Sequence, residues 1–403
     1  VVDPELAHLV ADAPVERVLV VGAGYDELLA GAGPGEPEDR LRDELDTISI
    51  NYTSGTTGRP KGVMYHHRGA YLQALAMAMQ SGMHCDSVYL WTLPMFHCNG
   101  WCFTWGVTAA GAIHLCLRKV EGDAIWRLVR EQGVTHLSAA PTVLGMIAND
   151  DAAQEGPAPN PVHVDTGGAP PSPTLLATLA DLNMQVTHLY GLTETYGPAM
   201  LCEWQPEWND LPHDRQVALR ARQGVGNVIS EQPRVIDDDG NDVPADGETI
   251  GEIALRGNNV LLGYYRDDES TGQATDTGWF RTGDLAVMHP NHYVEIRDRK
   301  KDVIVSGGEN IASIEVEQAI ASHPDVLEAA VVAQADERWG EVPIAFVTVK
   351  QDRELAEEDV IAHVRDRIAH FKAPRAVHFG PLPKTSTGKV RKHELRDKIK
   401  ASQ

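Results

Sequence analysis

Near residue 225 the chain changes texture, and that change limits the folds open to it. Before it, short apolar runs alternate with helix-like segments. Residues 17–22, RVLVVG, predict a short buried strand, and residues 31–40 a loop rich in Gly and Pro. ISINYTSG at 48–55 predicts a strand running into a polar loop. Residues 69–83 predict a helix, 86–96 and 112–117 strands, 123–132 a helix, and THLSAA a further strand. Strands alternating with helices imply α/β layers around a mostly parallel sheet. After residue 225, turn signals such as Asp239-Gly240 and Asp246-Gly247 predict antiparallel strands joined by tight turns, and VMHPNHYVEIRDR continues them as a hairpin.

A third texture begins near residue 303. Residues 313–321 predict a helix, and LEAAVVAQ and PIAFVTVK predict strands. Val360, Ile361, Val364, Ile368 and Phe371 fall on one helical face. Between the two regions lies RDRKKD, 297–302, in which every residue is charged. Such a run predicts a solvated hinge. The expected organisation is a large α/β domain at 1–297 with a β-rich part from about 225, a hinge at 298–302, and a small α+β domain at 303–403.

A length of 403 residues suits two or three domains, and 42% hydrophobic residues suffice for substantial cores. No run of 18 apolar residues predicts a membrane span. The first residues, VVDPELAHLV, do not read as a secretory signal, and KASQ is not a peroxisomal or ER-retention signal, so a cytoplasmic location is expected. The formal charge is −23, from 35 Lys and Arg against 58 Asp and Glu. A surface this acidic disfavours nucleic acid and anionic lipid, and an anionic small ligand needs its own cationic pocket. The five cysteines form no Cys-x-x-Cys pair, which argues against a disulfide framework or zinc ribbon.

YTSGTTGRPKG, 52–62, cannot build a core. Its glycines let backbone N–H groups approach a ligand, its hydroxyls donate hydrogen bonds, and Lys61 supplies a point charge. Together these suit phosphate oxygens. The spacing is not that of the P-loop, because Gly58 precedes Lys61 by three and Gly62 follows it. On composition alone a plain surface loop stays equally open.

The loop resembles the signature of the adenylate-forming superfamily, which includes acyl- and aryl-CoA synthetases, peptide-synthetase adenylation domains and luciferases of the firefly type. Further motifs follow in the order of that family: GGAP at 167–170, YGLTET at 190–195, WFRTGDLA at 279–286, IRDRKKDVIVSGGENI at 296–311 and PKTSTGKVRKHELR at 383–396. The resemblance runs from residue 52 almost to the end, and it implies that the chain begins inside the large domain.

It also implies a chemistry. ATP and a carboxylic acid give an acyl-adenylate and pyrophosphate, and a thiol, here CoA, then displaces AMP. Thr53, Ser54, Gly55, Thr56, Thr57 and Lys61 would hold the β- and γ-phosphates. Thr193 would touch the α-phosphate, and Glu194 would ligate Mg²⁺, since a carboxylate beside a triphosphate needs a cation between them. Tyr190 with Gly191, and Gly168, Ala169 and Pro170, would enclose adenine. Asp284 and Arg299 would take the ribose hydroxyls. Lys389 would bridge carboxylate and α-phosphate. Lys301 matches the hinge position, and Gly307 and Gly308 would pass the pantetheine arm. His97 is the candidate gate for the carboxylate, an ordinary core histidine being the alternative, and Trp101 a candidate wall of the acyl pocket. The resemblance favours a short- or medium-chain acid, with a sulfur-containing propionate or an aromatic acid open. It allows a homodimer. The alternatives are an adenylation domain that loads a carrier protein and an inactive nucleotide-binding homologue.

Overall fold

The computed structural model describes residues 1–33, 35, 41–53, 60–168, 171, 173–385 and 389–401. Residues Val1–Asp46 form a unit of their own. It holds a 3₁₀ turn at Pro4–Val10, capped by the Asp3 carboxylate, and a helix at Ala23–Ala30. The strand expected at 17–22 is not there. Val20 makes a single bridge to Val2, and Val18, Val20 and Val21 stay exposed. An apolar run becomes a buried strand only with a ladder on its edges and a layer on its face, and this one has neither.

Thr47–Gln403 form the second unit, built on four sheets. The seven-stranded sheet runs in the order Ile113–Cys116, Val88–Trp91, His136–Ala139, Val162–Thr166, Met184–Leu192, Gly197–Leu201 and Val225–Gly226. Pairing is parallel as far as Met184–Leu192 and antiparallel after it. The crossover helix Gly122–Glu131 buries Ile125, Trp126 and Val129 on one stripe, against Leu137, Leu144 and Val164. The helix His67–Gln80 and the segment Phe103–Ala109 cover another part of the core with Met77, Phe103 and Val107. The α/β layers read from the sequence are therefore present.

A three-stranded antiparallel sheet, Thr47–Tyr52, Gly62–His66 and Gly263–Tyr264, carries the Gly/Thr-rich segment between its first two strands. The turn-rich region forms an antiparallel sheet of Arg234–Ile236, Gly251–Leu255, Phe280–Met288 and Val294–Arg299. The last sheet, from Ile304–Ser306 to Ala376–Phe379, packs the helices Ser313–Ala321 and Glu357–Arg365 around its own core of Val316, Val331, Val347, Val360 and Val364. The apolar face foreseen as far as Phe371 stops early: the helix ends at Arg365, and Phe371 lies exposed in a 3₁₀ turn.

The charged run 297–302 is solvated only in part: Lys300 and Lys301 are exposed, but its two acids are not. Asp298 is 1% and Asp302 7% exposed. Asp298 accepts the backbone N–H of Ser313 and, at 3.0 Å, its hydroxyl. Asp302 pairs with Arg396. Buried carboxylates of this kind persist because each has donors around it.

Gly224 ties the seven-stranded sheet to the turn-rich one through a bridge to Val294. Its φ is +84°, and a Cβ there would lie 1.9 Å from the Leu201 carbonyl oxygen. Gly224→Ala is expected to destabilise by at least ~2 kcal/mol, through left-handed strain and the clash together. Calorimetric melting beside the wild type checks this; an unchanged midpoint would contradict the geometry.

Candidate active site

The chain enters and leaves residues 54–59 through one reciprocal contact. The Thr53 N–H donates to the Lys61 carbonyl at 2.9 Å, and the Lys61 N–H to Thr53 Oγ1 at 3.3 Å. Ser54, Gly55, Thr56 and Thr57 lie outside the described residues, as do Ala169 and Pro170. The Lys61 ammonium donates to Ser270 Oγ at 2.8 Å and lies 4.8 Å from the centroid of the Tyr264 ring. The Tyr264 hydroxyl donates to Glu194 Oε1 at 3.0 Å. A cleft of about 700 Å³ opens here, lined by Tyr52, Lys61, Tyr264, Tyr265, Arg266 and Asp267 among others.

Thr193 and Glu194 sit in a one-turn 3₁₀ element, Thr193–Thr195, at the end of the strand Met184–Leu192. The Tyr65 hydroxyl donates to the Thr193 carbonyl at 2.5 Å, and the Leu261 N–H to the Glu194 carbonyl at 2.8 Å. Tyr65 stacks on Tyr196 with centroids 3.6 Å apart, so the turn is backed by a rigid aromatic pair. Gly191 has no alternative: a Cβ there would lie 2.0 Å from the Gly197 carbonyl oxygen.

The second cluster gathers around Asp284. Antiparallel register sets Asp284 opposite Arg299, and Arg299 Nε lies 3.2 Å from Asp284 Oδ1. The Tyr190 hydroxyl donates to Asp284 Oδ2 at 2.7 Å. Burial, then the charge of Asp284, raises the Tyr190 pKa far above the usual phenol, so the proton stays on tyrosine.

Lys389 joins this cluster from the last loop of the chain. Thr385 and Lys389 close that loop as Thr53 and Lys61 close the first: Thr385 N–H to the Lys389 carbonyl at 2.8 Å, Lys389 N–H to Thr385 Oγ1 at 3.1 Å. The residue keeps access to solvent, yet protein surrounds its ammonium. That crowding, and then Arg299, pull its pKa down to about 8, with Asp284 and Asp302 opposing. His97 lies in the same field, its pKa lowered by burial and then by Lys389. Lys301 sits in the turn after Arg299, its ammonium likewise disfavoured by burial and by Arg299.

His97 opens a stretch of unusual backbone. Cys98, Asn99, Gly100, Trp101 and Cys102 all have positive φ, between 50° and 65°. Left-handed L-residues cost ~1–2 kcal/mol each, so the surroundings must over-determine the turn. Ser49 Oγ donates to Asn99 Oδ1 at 3.0 Å, and Thr104 Oγ1 to the Asn99 carbonyl at 3.0 Å. A Cβ on Gly100 would lie 2.5 Å from the Trp91 ring. Trp101 fills the space in front of two glycines, its atoms 3.2 Å from where Cβ atoms of Gly167 and Gly197 would stand. The buried thiols of Cys98 and Cys102 are held protonated, that of Cys98 with its pKa pushed up to about 12.

Gly168 is open and left-handed, with φ +88°. Gly307 and Gly308 also have positive φ, 63° and 87°, and Gly307 packs under Trp339, to whose carbonyl its N–H donates at 2.7 Å. The guanidinium groups of Arg338 and Arg375 lie 4.8 and 5.9 Å from the Trp339 ring centroid. The structure thus brings together Tyr190, Asp284, Arg299, Lys389 and His97, and separately Lys61 and Glu194, joined by Tyr264. Tyr264, Tyr65, Trp339 and Arg375 escaped the sequence reading. The aromatic pair in LLGYY was the one signal for Tyr264, and it does not differ from a core pattern.

The AMP-binding enzyme family model matches residues 3–265, and that of its C-terminal domain matches 315–389. The chain belongs to the AMP-binding enzyme family. Across 98% of its length it is 48% identical to the peroxisomal acetate/butyrate–CoA ligase AAE7 of Arabidopsis thaliana, and it spans 70% of that protein. It is 46% identical to 4-hydroxybutyrate–CoA ligase 2 of Metallosphaera sedula, over 94% of this chain and 68% of the relative. Among solved structures, ATP-bound MatB from Rhodopseudomonas palustris superposes with a TM-score of 0.84 at 28% identity, over 99% of this chain and 78% of that one. For an AMP-binding enzyme, a large α/β domain followed by a smaller C-terminal domain is the expected architecture, and both are present here.

The depressed pKa of Lys389 has a direct consequence. Lysine trapping by an acylating reagent, followed by mass spectrometry, should reach half its limit for Lys389 near pH 8, where ordinary lysines need pH 10.5. Asp284→Asn removes a group that raises this pKa and should move the midpoint lower still. Across that same window the folded protein releases the proton before the unfolded chain does, so this group's contribution to stability rises with pH. A midpoint at the ordinary value would contradict the crowding described.

Proposed function

We propose that the protein is an AMP-forming acyl-CoA synthetase that acts on short carboxylic acids. The observation that carries this reading is the convergence of Tyr190, Asp284, Arg299 and Lys389, from three strands and a distant loop, on one place. Asp284 accepts the vicinal ribose hydroxyls of ATP, and Arg299 orients it. Lys61 meets the outer phosphates. Lys389 neutralises charge where a carboxylate oxygen bonds the α-phosphorus and the bond to pyrophosphate breaks. The CoA thiol then attacks the acyl carbon, its proton is lost, and AMP leaves.

The described residues suit Mg²⁺. No group of three or more His, Cys, Asp or Glu gathers among them to form an all-protein metal site. Mg²⁺ instead favours one or two carboxylates plus substrate phosphates, and Glu194 supplies a hard oxygen held, like Lys61, against Tyr264. The ion, when bound, shields the negative charge of the phosphates.

CoA rather than a carrier protein is favoured by Trp339. Its ring, flanked by Arg338 and Arg375, borders a cleft of about 430 Å³ beside Gly307. An aromatic face between two guanidinium groups suits the anionic nucleotide end of CoA. On a chain of net charge −23, such local cations are what make an anionic substrate bindable.

The small-acid preference is supported by Trp101, whose indole fills the space before Gly167 and Gly197 four residues beyond His97. The named relatives, which take acetate, butyrate or 4-hydroxybutyrate, agree with it. The hinge at 298–302, with Lys301 turning, belongs to the same reading. So does a cytoplasmic location, which cell fractionation checks against the peroxisomal naming of one relative. Among the described residues no helix is long and apolar enough to cross a membrane. A homodimer is included too, supported by the exposed stripe of Tyr71, Leu75 and Met79 on the helix His67–Gln80, and tested by sedimentation.

Pyrophosphate–ATP exchange that depends on an added acid, and AMP release that depends on CoA, test the function; neither appearing with any of a panel of carboxylates would defeat it. Lys389→Ala should lower the exchange by ~10²–10³ and spare thiol transfer from added acyl-adenylate. Equal loss in both steps would remove the role given to Lys389. Trp101→Ala should shift preference toward longer or aromatic acids, read as the ratio of kcat/KM for hexanoate over acetate.

A further inference from the structure

Glu194 and Lys61 belong to different strand ends, and neither touches the other. One side chain reaches both. Tyr264, 7% exposed, donates its hydroxyl to Glu194 Oε1 at 3.0 Å and turns its ring face to the Lys61 ammonium at 4.8 Å.

Its backbone is fixed as firmly. Gly263 and Tyr264 pair with Met64 and Val63, directly after the phosphate loop. The Leu262 N–H donates to the Met64 carbonyl at 2.9 Å and the Tyr265 N–H to the Gly62 carbonyl at 2.7 Å. One residue earlier, Leu261 donates to the Glu194 carbonyl at 2.8 Å. The Tyr264 N–H donates to Thr271 Oγ1 at 2.9 Å, and Ser270, next in that helix, accepts from Lys61. Residues 261–265 are therefore a strap laid across both the loop base and the Thr193–Thr195 turn.

We propose that Tyr264 is a positioning residue that holds the Glu194 carboxylate and the Lys61 ammonium at one Mg·ATP. The proposal rests on the roles given above to Lys61 and Glu194. A phenol suits the task because it has two different ends. Its hydroxyl fixes one carboxylate oxygen and leaves the other for the cation, while its ring attracts an ammonium without neutralising it. A carboxylate in the same place would compete for the metal, and an amide would lack the face.

Binding measurements without any acid test this. Mn²⁺·ATP affinity is followed by water-proton relaxation, and ATP affinity in EDTA by titration calorimetry. Tyr264→Phe keeps the ring and loses the hydroxyl; its Mn²⁺·ATP affinity should fall about tenfold, the loss of one bond to a charged group, with metal-free affinity unchanged. Tyr264→Leu, which lacks the ring, should lower the metal-free affinity as well. A Tyr264→Phe protein that matches the wild type in both measurements, or loses both affinities equally, overturns the proposal. Should the Leu variant not fold, the Phe variant alone decides. A wild type that binds no nucleotide defeats the proposed function, and Tyr264 with it. A wild type that binds while the Phe variant is indifferent to metal defeats Tyr264 alone.

Discussion

A carboxylate only 4% exposed cannot stand without partners, and the rest of the site is arranged around the partners of Asp284. Arg299 is supplied by register: the hairpin pairs positions 284 and 299, and a slip of one residue would turn every side chain to the other face. Tyr190 is supplied by another sheet, on the strand whose end carries Thr193 and Glu194. One buried anion therefore joins the Gly224 bridge in holding the junction between the seven-stranded and the turn-rich sheets. That same anion offsets part of the repulsion between Arg299 and the Lys389 ammonium. Compensation in the core and the proposed ribose contact draw on the same charge.

Two glycine-rich segments far apart in the chain share a local solution. Each is closed at its base by Thr N–H to Lys carbonyl and Lys N–H to Thr Oγ1, at Thr53–Lys61 and at Thr385–Lys389. A threonine can do this because its hydroxyl accepts while its own N–H donates. The consequence is positional. Each lysine is held at its backbone while its ammonium, on four flexible carbons, is aimed by what surrounds it. For Lys61 those surroundings are Ser270 and Tyr264; for Lys389 they are Arg299, Asp284 and Asp302.

What could be read from the sequence follows from how local each signal is. Period and turn residues placed the helix Ser313–Ala321 to the residue and the antiparallel region correctly, because both depend on neighbours in the chain. The run 17–22 misled, since nothing within it tells whether a partner strand and a covering layer exist. The charged run 297–302 is solvated at Lys300 and Lys301 as its composition suggests, but its acids are buried by Ser313 and Arg396, partners that the run itself does not show. At the candidate site, the motifs singled out Tyr190, Asp284, Arg299 and Lys389, and the structure gathers these four at one place. Tyr264 and Tyr65 were not singled out, because a buried tyrosine looks like core until its hydroxyl is seen on Glu194 or on the Thr193 carbonyl. Trp101 was named by position, but its left-handed φ of 53° and its fit before two glycines are products of the fold.

The two buried aspartates of the charged run differ in a way that bears on movement. Asp302 and its partner Arg396 both lie beyond Lys301, so a rotation about that residue would carry the pair along intact. Asp298 lies before it, and its partner Ser313 after it. Beside Ser313, Lys392 donates to the serine hydroxyl at 2.7 Å and pairs with Glu317 at 2.7 Å. A turn at Lys301, as the proposed hinge has it, would separate Asp298 from this group. Burial raises the Asp298 pKa, with Lys392 as the first opposing charge. On release it regains water, which offsets the lost bonds, and Lys392 keeps Glu317 as its counter-charge. The contact is thus specific in geometry, with part of its gain offset by the desolvation of the carboxylate. On the proposed hinge reading, in which this contact forms for one half-reaction and dissolves for the next, that offset would keep either orientation from being trapped.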